Sequence, residues 1–238
     1  MRHPLADKIA EEMFEWYRTG RHGANPELDN PMWHELSSDD REHWYLRACG
    51  LLNFSPDQHL GYMTTYSGVQ VEPLNPRAGL IRHEDIAWAL GHTCRWGGHV
   101  GQYYSVAEHT VLISRFLEDV SWHAAWWGLH HDDTEAYLGD IPRPLKAVLP
   151  SYKLIEQMWE DVITGYFRVE ERPKQVKEAD RAILSREGSI LISNWDTGAA
   201  FDTFGFPLPV EIECWPPELA ARKWMERYDE LTNRSPHA

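Results

Sequence analysis

His109, the adjacent pair His131-Asp132, and Asp180 are the residues whose types and spacing could do chemistry. Val106, Ile113 and Phe116 share a helical face with His109, so His109 points toward the core. Val176, Ile183 and Leu184 share one with Asp180, which makes Asp180 an acid on an apolar stripe. His131-Asp132 falls within His130-His131-Asp132-Asp133, followed by Glu135. Buried charges need partners or a metal. Two imidazoles and two carboxylates make a divalent-metal shell; mixed N/O ligation suits Mn, Co, Fe or Zn, with Mg also compatible, and leaves open positions for water and substrate. Neighbouring residues on a helix project about 100° apart, so His131 and Asp132 share an ion only if it sits between their directions.

Helices must hold these groups. Ser105-Val106-Ala107-Glu108 reads as a capping box that starts the His109 helix, with hydroxyl and carboxylate satisfying end N–H groups reciprocally. Ser121 caps a further helix running to about Leu138, with Gly139 as its stop. Trp122, Ala125, Trp126 and Leu129 cover one arc of it and Ala124, Trp127 and Leu138 the other, the mark of a central helix. Further helices are predicted over 83–90 (closed by Gly91), 151–167, 173–192 and 217–232, the last packing through Leu219, Trp224, Tyr228 and Leu231. A β-prone run over 63–71 with a central Ser-Gly predicts a small hairpin, and Gly97-Gly98 a turn. Upstream, helices over 5–18 and from Ser37 or Ser38 to about 53 form a helical-hairpin appendage, residues 1–57, ahead of a domain over 58–238. With no βαβ alternation and no GxGxxG, the fold class is all-α.

Composition narrows the partners. The 238 residues carry 23 Lys+Arg against 37 Asp+Glu, a net charge of −14. That balance excludes a general binder of nucleic-acid polymers or anionic membranes, which needs clustered Lys and Arg. The three cysteines form no CxxC, which excludes a zinc ribbon, and so sparse a count suits a reducing compartment. The start, MRHPLADKIAEEMF, has no apolar core of a signal peptide, and no run approaches the roughly 18 apolar residues of a spanning helix. These features predict a cytoplasmic protein.

The ordered set resembles a known family. His109, His131-Asp132 and Asp180, together with Arg95-Trp96, Ser105-Val106-Ala107-Glu108-His109, His131-Asp132-Asp133-Thr134-Glu135 and Gly139-Asp140-Ile141-Pro142-Arg143-Pro144-Leu145-Lys146, look like the motifs of the HD-domain metal-dependent phosphohydrolases. Within that family they resemble the branch of bacterial 5′-deoxynucleotidases and phage deoxynucleotide triphosphohydrolases, over roughly residues 63–232. The resemblance implies an HD-type helical bundle, one divalent metal on His109, His131, Asp132 and Asp180, and a homodimer. It implies that Glu135, one turn after His131, orients or deprotonates the attacking water, and that Asp140 is a second acid near the phosphate and leaving group. Arg95 is the phosphate clamp, because guanidinium forks match phosphate oxygens. Lys146 is a second point charge, and Trp96 a wall for sugar and base. Arg143, between two prolines, reads as a solvated loop charge, and His92 and His99 as candidates to line the site.

Two residues depart from the family pattern. His130 stands where an apolar or aromatic residue is usual, and Asp133 where a small one is. The His131-Asp132 register is kept because Glu135 and Asp140 then fall at the family's offsets, with Asp133 facing solvent or capping a neighbour. The substrate implied is a nucleotide, a 5′-(deoxy)nucleoside monophosphate ahead of a deoxynucleoside triphosphate. A non-catalytic nucleotide-sensing module is the reading from a different class.

Overall fold

A computed structural model of the chain describes residues 6–11, 14, 33–41, 44, 61–167, 172–199 and 207–234. Helix dominates. The elements that matter here are α1 (His83–His92), α2 (Val106–Phe116), α3 (Trp122–His130), α4 (Glu135–Leu138), α5 (Arg143–Ala147), α6 (Pro150–Phe167), α7 (Lys174–Leu191) and α8 (Pro217–Asn233). The expected hairpin is present as two short antiparallel strands, β1 (Met63–Thr64) and β2 (Gln70–Val71), with Met63 opposite Val71. Asp85 pins its turn, accepting from the Thr65 hydroxyl at 2.8 Å and the Ser67 N–H at 2.6 Å.

The antiparallel-packed pair α2 and α3 divides the core. On one side Val106, Val111, Ala125 and Leu129 pack with Ile86 and Leu90 of α1, Trp159 and Ile163 of α6, and Trp224 and Leu231 of α8. On the other, Leu112, Ile113, Ala124 and Trp127 pack with Val176, Ala179 and Ile183 of α7. Each fully buried Ile or Leu contributes about 1.5–3 kcal/mol of hydrophobic stabilisation. A helix covered on both sides carries its polar residues inward with it. Every residue from Val106 to Ser114 is therefore buried, His109 included.

Four expectations change. The helix expected over 121–138 is broken: α3 ends at His130, residues 131–134 form a tight turn, and α4 restarts at Glu135. The turn is tightened by i to i+3 bonds, with Asp133 N–H donating to His130 O and Glu135 N–H to Asp132 O. Gly91 does not stop α1, which runs through it to His92; a Cβ there would lie 2.8 Å from Ala221 Cβ and from Pro217 O, so this glycine serves the crossing of α1 and α8. Only half of the capping box forms. Ser105 Oγ accepts from Glu108 N–H at 3.0 Å, but the Glu108 carboxylate accepts the backbone N–H groups of Glu213, Cys214 and Trp215 at 2.7–3.0 Å. Phe116, expected on the core face with His109, is 40% exposed at the end of α2.

The described parts of the expected appendage are helical at 6–11, 14, 38–41 and 44. Ala6, Ile9 and Ala10 bury themselves against Leu154, Ile155 and Met158 of α6. The remainder of the helices expected over 5–18 and up to 53, and the boundary at 57–58, lie outside the described residues. Among the described residues no helix is long and apolar enough to cross a membrane.

Candidate metal centre

The α2–α3 pair brings two imidazoles together, their planes tilted by 49°. The ring centroids of His109 and His131 are 5.3 Å apart. Each ring is tethered through Nδ1: His131 Nδ1 lies 2.9 Å from the Gly128 carbonyl, and His109 Nδ1 lies 2.6 Å from Glu187 Oε1. A proton held at Nδ1 leaves the Nε2 lone pair for a ligand. Both Nε2 atoms are buried and neither has a hydrogen-bond partner.

Two carboxylates close on these atoms. Asp180 Oδ1, from α7, lies 3.3 Å from His109 Nε2 and 4.0 Å from His131 Nε2. Asp132 Oδ2, from the turn, lies 3.6 Å and 3.4 Å from the same atoms. His109, His131 and Asp180 each offer a ligand atom within 4.8 Å of the others, a group that could hold a metal ion. Two buried imidazole nitrogens converging with carboxylate oxygens are donors that fit a divalent cation.

Burial and the Arg95 charge act to lower the His109 pKa, yet Glu187 and Asp180 outweigh them and raise it to about 9. Burial lowers that of His131, despite Asp132 and Asp180. Burial acts to raise both aspartates, but the imidazoles win and hold Asp132 and Asp180 below the ordinary carboxylate range.

Around this cluster the structure places the other predicted residues. The segment 93–95 is laced to 104–106, with Arg95 N–H donating to Tyr104 O at 2.9 Å and Val106 N–H to Thr93 O at 3.0 Å. Arg95 is thereby fixed in the interior, its guanidinium 3.4 Å from both Asp132 Oδ2 and Glu187 Oε1. Trp96 follows in a left-handed conformation (φ +58°), ahead of Gly97 and Gly98 at φ +58° and +78°. Such a backbone costs a non-glycine residue about 1–2 kcal/mol; here the indole Nε1–H donates to Glu187 Oε2 at 3.1 Å and the ring meets Trp195 edge-on at 5.6 Å.

Glu135, at the start of α4, is buried with Oε2 unpartnered. Burial, then the charges of Asp132 and Asp140, raise its pKa well above the ordinary range. Asp140 is half-buried just past Gly139, whose φ of +78° ends α4 as expected. Lys146 Nζ lies 3.5 Å from Glu135 Oε1 and donates to Glu156 at 2.7 Å. Arg143 is more than a solvated loop charge: its guanidinium, though 71% exposed, reaches Asp180 Oδ2 at 3.4 Å. His92 is exposed and stacks on Trp88, and His99 is exposed beside Gly98.

Asp133 neither faces solvent nor caps a helix. It is 1% exposed and binds His130 Nδ1 at 2.6 Å, while the His130 ring packs among Trp126, Phe167, Trp224 and Tyr228. The two departures from the family pattern are thus each other's partners, turned to the aromatic side of α3. His131 and Asp132 face the other way.

Sequence reasoning missed Glu187. It has no motif, and its only signal is its place two helical turns beyond Asp180 on the same face of α7. It is fully buried and touches His109, Arg95 and Trp96 at once.

No protein-family model matches the chain. Over 179 residues it is 38% identical to "Uncharacterized protein YfdR" of Escherichia coli (strain K12), an alignment spanning 73% of this chain and 97% of that protein. The chain belongs to the YfdR family. Nearly the whole of YfdR is thus matched, while the name assigns no chemistry, so a functional reading of this YfdR-family chain rests on its own side chains.

Proposed function

We propose that this protein is an HD-type, divalent-metal-dependent phosphohydrolase that releases orthophosphate from a 5′-(deoxy)nucleoside monophosphate. The observation that carries this reading is the convergence of two buried, unpartnered Nε2 atoms with the carboxylates of Asp180 and Asp132. His109, His131, Asp132 and Asp180 would hold the ion. When bound, a divalent cation lowers the pKa of water and polarises a phosphoryl oxygen.

The surrounding residues supply the rest. Glu135, buried four residues after His131 with an unpartnered carboxylate oxygen, is the residue we assign to orienting the attacking water and taking its proton. Arg95 carries a charge that burial opposes but Glu187, Asp132 and Glu135 sustain, and its fork suits phosphate oxygens. The family resemblance assigns Asp140 to the phosphate and leaving group, and Lys146 adds a positive charge beside Glu135.

The small substrate is favoured by charge balance. Arg95 pairs with Asp132 and Glu187, Arg143 with Asp180, Lys146 with Glu156, and Arg172 with Glu160. A centre whose neighbouring cations are already matched, on a chain of net charge −14, suits one phosphate better than three. The test is a panel of NMPs, dNMPs and dNTPs with Mn²⁺, Co²⁺ and Mg²⁺, with products identified. Orthophosphate from a monophosphate supports the reading. Tripolyphosphate from a dNTP moves it to the triphosphohydrolase branch, and no release from any substrate overturns the enzyme reading.

A further inference from the structure

We propose that Glu187 is the positioning residue of the site, locking His109, Arg95 and Trp96 into one rigid unit. The inference rests on the metal-centre reading above and extends it to a residue outside every motif. Four observations carry it.

First, Glu187 Oε1 lies 2.6 Å from His109 Nδ1. A carboxylate on the far nitrogen of a ligating imidazole fixes ring orientation and tautomer and strengthens the donor lone pair at Nε2. Second, both carboxylate oxygens face the Arg95 guanidinium, at 3.4 and 3.5 Å. Third, Oε2 accepts the Trp96 indole N–H at 3.1 Å, holding a side chain whose backbone is left-handed. Fourth, the helix carrying it is clamped locally. A Cβ on Gly188 would lie 2.2 Å from the Trp195 ring, so that ring lies directly on the glycine, and Gly101 N–H donates to Leu191 O at 2.8 Å.

Each contact has a distinct consequence. The His109 bond acts on metal affinity, and the Arg95 and Trp96 bonds act on substrate affinity. A fully buried anion is costly unless paired; this one is paired three ways, with a metal ligand, a phosphate-binding arginine and an aromatic wall. Asp180 projects from the same helix, so α7 delivers a ligand and the anchor of a second ligand together.

The test compares the full chain as wild type, Glu187→Gln, Glu187→Asp and Ile183→Val. Ile183 is buried on the same helix in the apolar cluster and serves as the packing control. Metal-stripped protein is titrated with Co²⁺ by calorimetry and by the visible absorption of the bound ion, and kcat and KM are measured with a dNMP. Glu187→Gln should bind Co²⁺ about 10–100-fold more weakly, as loss of such outer partners does, with shifted absorption bands and a raised KM. Glu187→Asp, which keeps the charge, should recover part of both. Ile183→Val should melt earlier with unchanged Co²⁺ affinity.

Wild-type Co²⁺ affinity and spectrum in Glu187→Gln would overturn the proposal, as would an equal loss in Ile183→Val. If wild type binds Co²⁺ but hydrolyses no phosphomonoester, the phosphohydrolase reading fails and the Co²⁺ comparison still decides the role of Glu187. If wild type binds no Co²⁺, both fail.

Discussion

His109 and His131 stand with ring centroids 5.3 Å apart, each held by protein at Nδ1 and each with a buried, unpartnered Nε2 beside Asp180 Oδ1. Their separation is set by how closely α2 and α3 approach. Gly128 sits at that approach.

A Cβ on Gly128 would lie 2.9 Å from Ser114 Cα and 3.0 Å from Ser114 N. Those atoms are backbone and cannot step aside. Gly128→Ala should cost about 1–3 kcal/mol by overpacking and draw His131 away from His109, weakening Mn²⁺ or Co²⁺ binding. Gly165→Ala, in α6 with nothing within 4 Å of its would-be Cβ, should be neutral or stabilising by up to about 1 kcal/mol. Thermal melts with and without metal check both; equal metal affinity in Gly128→Ala and wild type would refute the coupling.

Glu135 should separate activity from stability. Its carboxylate is buried, has one unpartnered oxygen, and is pushed well above the ordinary range by burial and by Asp132 and Asp140. Glu135→Gln removes that charge without changing shape. The variant should retain metal and melt no earlier than wild type, while hydrolysing substrate about 10²-fold more slowly or worse. A near-normal rate would transfer the proton-accepting role to Asp140.

The pH response should have opposite signs with and without metal. In the metal-free protein His109 is raised from 6.5 to about 9. A raised folded pKa means the stabilisation is complete below the unfolded value and disappears as pH climbs through the folded one. Glu135, also raised, acts in the same sense. The metal-free melting temperature should therefore fall from pH 6.5 to 9. A cation at His109 Nε2 must displace a proton, so its affinity should rise by roughly tenfold per pH unit over the same window below about 9. Calorimetry in buffers of different ionisation enthalpy should count about one proton released per ion; none released would exclude His109 as a ligand.

Arg227 should matter to the fold and not to the chemistry. It is 1% exposed on α8, donates to Ser114 Oγ at 2.9 Å and Ser114 O at 3.2 Å, and pairs with Glu118 and Glu230 at 3.0 Å each. Both acids are partly in water, which reduces the loss when they are stranded. Arg227→Met should destabilise by about 2 kcal/mol, chiefly through the buried Ser114 groups. Metal affinity per folded molecule should stay at the wild-type value; a selective loss would show that α8 also positions α2.

The mostly helical class, the small hairpin and the coming together of His109, His131 and Asp180 were legible in the sequence by itself. Helical periodicity, the Ser105 and Ser121 caps and the Gly139 stop are local signals, and each one is realised within a few residues of the atoms that produce it. The same locality placed His109 and Asp180 on apolar faces. Everything that turned on pairing across the chain was decided only by the tertiary structure. Glu108 looked like its own helix's cap but binds backbone 105–107 residues away. Gly91 looked like a stop but is a crossing point for α8. Arg143 looked solvated but reaches Asp180, and Glu187 carried no motif yet holds three residues of the site. The reason is physical. Backbone preferences act over one or two turns and are written in neighbouring residues, whereas a buried charge takes whichever partner the packed helices bring within about 3 Å, and that partner has no fixed distance along the chain.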